Sequence, residues 1–129
     1  MRIEGIGELA LRVNDLPKMR DFYRDVVGLE IYDEPEPFFV FFNAGPGVEG
    51  HPQIFALFSR DVDVAQPAST LDHFAFLIPL EEQQAQHERL TSLGVDVLPR
   101  TFPHFHFRSL FFADPEGNTV EFVSYDRNV

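Results

Sequence analysis

Glu8, His73 and Glu121 are the residues whose types and spacing point most directly to chemistry. Each stands in an apolar, strand-like stretch: Glu8 opens "ELALRV", His73 lies in "LDHFAFLIP", and Glu121 interrupts "NTVEFVSY". Their neighbours Leu9, Phe74, Val120 and Phe122 are large and apolar. Alternation along a strand sends those neighbours to one face and the ionisable group to the other. Three such groups on one concave, Phe-rich face are costly unless a cation or hydrogen bonds satisfy them. Two carboxylates and an imidazole suit Mn²⁺, Fe²⁺, Co²⁺, Ni²⁺ or Zn²⁺, with open positions left for water and substrate. The other reading of the same residues needs no metal: Glu8 as a solvent-facing strand residue and His73 as a hydrogen-bonded histidine.

The elements that must position these groups come in a repeated order. "ELALRV" (8–13) alternates as a strand, and "NDLPKMRDFYRDVVG" follows as a helix, with a capping Asn or Asp, an apolar stripe and Gly28 as its stop. Short strands are expected at Leu29–Tyr32, Phe38–Asn43 and Gln53–Ser59. The polar "RDVDVAQPAST" reads as a connection, and the acidic "YDEPEPFF" as a solvated edge guarded by prolines. The second half gives a strand in "LDHFAFLIP", a helix in "LEEQQAQHERLTSLG", and strands in "VDVLP", "RSLFFA" and "NTVEFVSY".

The halves overlay with His73 on Glu8 (73 − 8 = 65) and Glu121 on Ala56 (121 − 56 = 65). The expected fold is therefore α+β: two tandem βαβββ modules, 1–62 and 70–129, in a single domain spanning 1–129. The sheets are expected to be mixed and curved around a cup-shaped site.

Composition bounds the function classes. The chain has 129 residues, a net charge of −11, 15 Phe and no Cys. That charge argues against nucleic acid or an anionic membrane as a partner. The absence of Cys removes thiol nucleophiles, disulfides and Cys-based zinc sites. No segment approaches the apolar length of a membrane span, so a cytoplasmic protein is expected.

On the stretches "LALRVNDLPKMRDFYRDVVGLEI", "LDHFAFLIP" and "FFADPEGNTVEFVSYD", the chain resembles the vicinal oxygen chelate superfamily, which includes glyoxalase I, extradiol dioxygenases, fosfomycin-resistance thiol transferases and bleomycin-binding proteins. The resemblance implies a glyoxalase-like cup around a divalent metal, a small-molecule substrate and a homodimer. It implies His73 and Glu121 as metal ligands, with Glu8 where relatives carry His or Gln. Ala56 stands where some members place a fourth ligand. Glu121 in the resembled isomerases doubles as the proton-transferring base.

Arg12, four residues after the first ligand position, matches an arginine that anchors an anionic substrate in glyoxalase I. A catalytic Tyr of the extradiol enzymes falls at Phe111, and their upstream histidine falls near His104 and His106 without matching in register. The loop "PRTFPHFHFR" (99–108) is expected to carry specificity, with Phe102, His104 and His106 lining the mouth of the cup. His51 and His87 read as surface residues. The expected function is a metal-dependent isomerase, lyase or thiol transferase in which the ion stabilises an enolate or alkoxide. The alternatives are a metal-free small-molecule-binding protein of the bleomycin-resistance type and, less favoured, an extradiol-type dioxygenase.

Overall fold

Asp15 accepts a hydrogen bond from the Lys18 amide and Pro17 follows it, so the first helix starts where a side-chain cap and a preset φ agree. That helix, α1 (Leu16–Asp21), runs into a wider π-turned segment, Phe22–Val27, and stops at Gly28 with φ +92. The computed structural model describes residues 1–34, 37–60 and 70–129. The expected connection "RDVDVAQPAST" falls almost wholly outside the described residues, as does the middle of "YDEPEPFF".

The chain divides into two compact units, Met1–Pro67 and Ala68–Val129. The first contains β1 (Glu8–Val13), α1 with its π extension, β2 (Glu30–Asp33), β3 (Phe39–Val48) and β4 (His51–Ser59). These strands form one mixed sheet in the order β1-β4-β3-β2, with β1 parallel to β4 and the other pairs antiparallel. Strand parity decides what is buried: Val13, Val40, Phe42, Phe55 and Leu57 face the helix, whose Met19, Tyr23 and Val27 complete the core. The Tyr23 ring lies 4.6 Å from Phe55 and 6.3 Å from Phe42.

The second unit contains β5 (Phe74–Leu77), a 3₁₀ turn at Leu80–Glu82, α2 (Gln83–Ser92), β6 (Leu98–Phe102), β7 (Phe107–Ala113) and β8 (Thr119–Tyr125). The sheet order, β5-β8-β7-β6, repeats the first. The register repeats too: Leu9↔Phe55 and Ala10↔Ala56 in one unit correspond to Phe74↔Val120 and Ala75↔Glu121 in the other. Phe74, Leu110, Phe112, Val120 and Phe122 form the core beneath α2 with Leu90. The α+β architecture of two βαβββ units is thus as expected from the sequence.

Several boundaries move. β3 and β4 extend to Val48 and back from His51, making a longer hairpin than the alternation indicated. The strand expected at "VDVLP" lies further on, at Leu98–Phe102, and β5 starts at Phe74, so His73 sits just before it. The expected loop 99–108 is mostly strand; its turn is confined to residues 103–106, where His106 adopts φ 59.

Candidate functional site

In the second unit, β5 lies parallel to β8 with Ala75 opposite Glu121. His73, two residues before Ala75, shares its face and reaches the same carboxylate. His73 Nε2 stands 3.1 Å from Glu121 Oε2, and His73 Nδ1 stands 2.6 Å from Asp72 Oδ2. The other oxygen of Glu121, Oε1, accepts a 2.6 Å hydrogen bond from Ser109 Oγ. Ser109 is fully buried and Glu121 is only 6% exposed.

Proton bookkeeping shows what this arrangement requires. A neutral imidazole has one N–H and one lone pair. If Nδ1 donates to Asp72, Nε2 turns its lone pair toward a carboxylate oxygen that also carries only lone pairs. The contact is favourable only with a cation between or upon them, either a proton or a metal ion. Proton affinity reflects this: His73 titrates above its ordinary value. The largest cause is the Asp72 hydrogen bond, partly offset by burial and reinforced by the Glu121 charge.

The separation also fits a metal. Two donors, each about 2.1 Å from an ion and at right angles, lie about 3.0 Å apart. His73 Nε2 and Glu121 Oε2 therefore suit two adjacent ligands of a divalent ion. Among the described residues, no group of three or more His, Asp or Glu side chains gathers as a metal site of its own.

Around this pair the sheet supplies an aromatic wall. Phe111 is opposite Glu121 in register, and its ring meets His73 edge-on at 5.8 Å. Phe102 continues the row 6.2 Å from Phe111. Arg100 pairs with Ser109 and so occupies the same face one strand further out.

His104 and His106 sit at the turn between β6 and β7. His104 lies edge-on to Phe105 at 4.7 Å; His106 Nδ1 lies 2.8 Å from the Val129 carbonyl oxygen, and its ring faces Tyr125. Their contacts are with the hairpin and the C-terminus.

The remaining expected residues belong to the first unit. Glu8 is the exposed first residue of β1, paired with Ile54. Ala56 is fully buried in β4 between Ala10 and Phe41. Arg12 donates from Nη1 to the Ser59 carbonyl oxygen at 3.1 Å and lies over the Phe58 ring at 5.6 Å.

Sequence reasoning singled out neither Asp72, Ser109 nor Arg100. Ser109 carried a readable signal, since it shares strand parity with Phe111. Asp72 and Arg100 did not, because exposed charges of this kind occur all along the chain.

A family model described as "Glyoxalase/Bleomycin resistance protein/Dioxygenase superfamily" matches residues 5–122. A lactoylglutathione lyase of Neisseria meningitidis is 28% identical over 88% of this chain and 85% of its own length. The crystal structure of a lactoylglutathione lyase from Agrobacterium tumefaciens has a TM-score of 0.75 at 29% identity, covering 96% of both chains. A mutant of FosX, a fosfomycin resistance protein from Listeria monocytogenes solved with Mn(II) and 1S,2S-dihydroxypropylphosphonic acid, has a TM-score of 0.69 at 25% identity. It covers 94% of this chain and 90% of that one.

Proposed function

The chain belongs to the Glyoxalase/Bleomycin resistance protein/Dioxygenase superfamily, and from that premise we propose that it is a metal-dependent enzyme of glyoxalase type. The observation that carries this reading is the pair His73 Nε2 and Glu121 Oε2, 3.1 Å apart, the spacing of two adjacent ligands of one divalent ion. The two units are proposed to work as one domain in a homodimer. His73 and Glu121 are the proposed ligands from the second unit. Glu8, which occupies in the first unit the position His73 occupies in the second, is the proposed third. The lyase-named relatives and the Mn(II) complex of FosX support this choice of chemistry.

When bound, a divalent ion supplies Lewis-acid polarisation to a substrate carrying adjacent oxygens. The rest falls to the protein. Glu121 takes the proton from the carbon beside a substrate carbonyl and returns it to the neighbouring position, so an isomerisation balances without a further reactant. Ser109 holds the far oxygen of that carboxylate in place. Phe111 and Phe102 keep water from the reacting face and meet an apolar part of the substrate. Arg12 is the proposed anchor for an anionic group.

A second reading is a small-molecule-binding protein that uses no metal. It is favoured by the same proton arithmetic, because a protonated His73 held between Asp72 and Glu121 satisfies all three groups. Bound Mn, Fe, Co, Ni and Zn measured in the purified protein and in His73→Ala separate the two readings. A tightly held metal lost in His73→Ala supports the enzyme. Absence of metal at every pH, with ligand binding retained in His73→Ala, supports the binding protein.

A further inference from the structure

Glu121 has two oxygens and the protein treats them differently. Oε2 faces His73 Nε2, whereas Oε1 is engaged by the Ser109 hydroxyl at 2.6 Å, a short bond typical of an O–H donor to an ionised acceptor. Ser109 is fully buried in β7, opposite Val123 of β8, so neither water nor a rotation into solvent replaces that bond. Serine is also the smallest side chain that donates from this position.

We propose that Ser109 is a positioning residue that engages Oε1 of Glu121 and so presents Oε2 to an ion, disfavouring two-oxygen binding by the carboxylate and thereby biasing which ions the site accepts. The proposal rests on the metal-binding reading above.

The chemistry follows from the coordination habits of the ions. Ca²⁺ takes six to eight oxygens and readily accepts both oxygens of one carboxylate. Smaller ions such as Mg²⁺ demand compact geometry, and imidazole suits transition metals. A carboxylate whose Oε1 is held by a hydroxyl presents Oε2 beside one imidazole nitrogen and disfavours a second bond through Oε1. That combination favours Mn²⁺ over Ca²⁺. Freeing Oε1 removes this bias.

The test is metal affinity, read without any turnover. Mn²⁺ and Ca²⁺ are titrated separately into metal-free wild type, Ser109→Ala and Ser109→Thr, with binding followed by calorimetry and Mn²⁺ also by electron paramagnetic resonance. In Ser109→Ala, Mn²⁺ binding is expected to weaken about 10–100-fold, the range typical of losing an outer hydrogen-bond partner of a ligand. Ca²⁺ binding is expected to hold or tighten, and Ser109→Thr to restore the wild-type ratio. Equal weakening of both ions indicates collapse of the pocket and overturns the proposal. An unchanged ratio in Ser109→Ala also overturns it, while Mn²⁺ binding by the same proteins leaves the metal reading standing. Wild type that binds neither ion removes that reading and the proposal with it. Should Ser109→Ala fail to fold, Ser109→Cys, with the same shape and a weak donor, is expected to show the same shift in the Mn²⁺ to Ca²⁺ ratio, and no shift overturns the proposal.

Discussion

Glu121→Gln separates the carboxylate's chemical role from its structural one, because the amide can keep every contact the metal-free protein offers. Ser109 Oγ can still donate to Oε1, now the amide oxygen, and the new NH₂ group can donate to His73 Nε2 where the carboxylate could not. A net intramolecular hydrogen bond is worth about 0.5–1.5 kcal/mol. At ~2.1 cal/mol/K per residue over 129 residues, 1 kcal/mol moves the melting temperature by about 4 °C. Metal-free Glu121→Gln is therefore expected to melt within about 6 °C of wild type at pH 7.

The sign of the difference depends on pH. His73 is raised above 6.5, chiefly by Asp72 and further by Glu121. Its contribution to wild-type stability is thus fully present below pH 6.5 and is lost as pH rises through the raised folded value. The variant keeps Asp72 but loses the Glu121 part, so it should be the less stable protein at pH 5.5 and equal or more stable at pH 9. Mn²⁺ at 100 times its dissociation constant stabilises by about 2.7 kcal/mol, about 10 °C on the same scale. That rise is expected in wild type and absent in Glu121→Gln. Differential scanning calorimetry at three pH values, with and without Mn²⁺, reads all of this. An equal Mn²⁺-induced rise in both proteins refutes Glu121 as a ligand; a variant that unfolds at every pH refutes the proton bookkeeping.

Four further outcomes test the frame around the site. Asp72→Asn should bring the His73 titration down toward its ordinary value, measured by NMR; Asp72 is 95% exposed, so denaturation should detect little change in stability. Tyr23→Ala removes a fully buried ring packed on Phe55 and Phe42, and should cost about 3–5 kcal/mol in chemical denaturation. Gly47→Ala should disrupt the β3–β4 hairpin, because a Cβ at φ +56 would lie 2.3 Å from the His51 carbonyl oxygen. Gly28→Ala, at φ +92 with no atom within 4 Å, should cost only the left-handed strain, about 1–2 kcal/mol by the same denaturation measurement.

The sequence made some of these features legible and hid others for identifiable reasons. β1, α1 and β8 carry strong periodicity, with Gly28 as the stop of the first helix, and they lie where that pattern put them. β6 has no buried residue at all, so no alternation marked it, and Pro99 is tolerated there because β6 is the edge strand. Residues 99–108 looked like a loop because Pro, His and Phe alternate in them, yet pairing with β7 draws most of them into a hairpin. The π-turned end of the first helix shares the helical stripe of buried Tyr23 and Val27, so spacing alone did not reveal it. At the site, parity placed Glu121 and His73 on one face. The contact of Ser109 with Glu121 needed the β7–β8 register, which no local pattern supplies.

Comparing the two units position by position shows why only one of them holds a buried carboxylate at this position. The positions of Ser109 and Glu121 in the second unit are those of Phe39 and Ala56 in the first, as the matched registers Ser109↔Val123 and Phe39↔Phe58 require. The two changes go together. A buried carboxylate needs a donor beside it, and Ser109 supplies one; an alanine needs its empty space filled. On that face Phe41 stands opposite Ala56 in register, and Phe39 packs with Phe41 at 4.9 Å and stacks on Phe58 at 5.6 Å. A hydroxyl in place of Phe39 would lose the packing with Phe41 and Phe58, and a phenyl ring in place of Ser109 would strip Glu121 of its partner. Each unit therefore satisfies its own face internally, one with a hydrogen-bonded polar pair and the other with an aromatic cluster. The duplicated fold keeps the same backbone register under both, and the proposed ligands His73 and Glu121 lie in the unit that has a carboxylate and its donor together at this position.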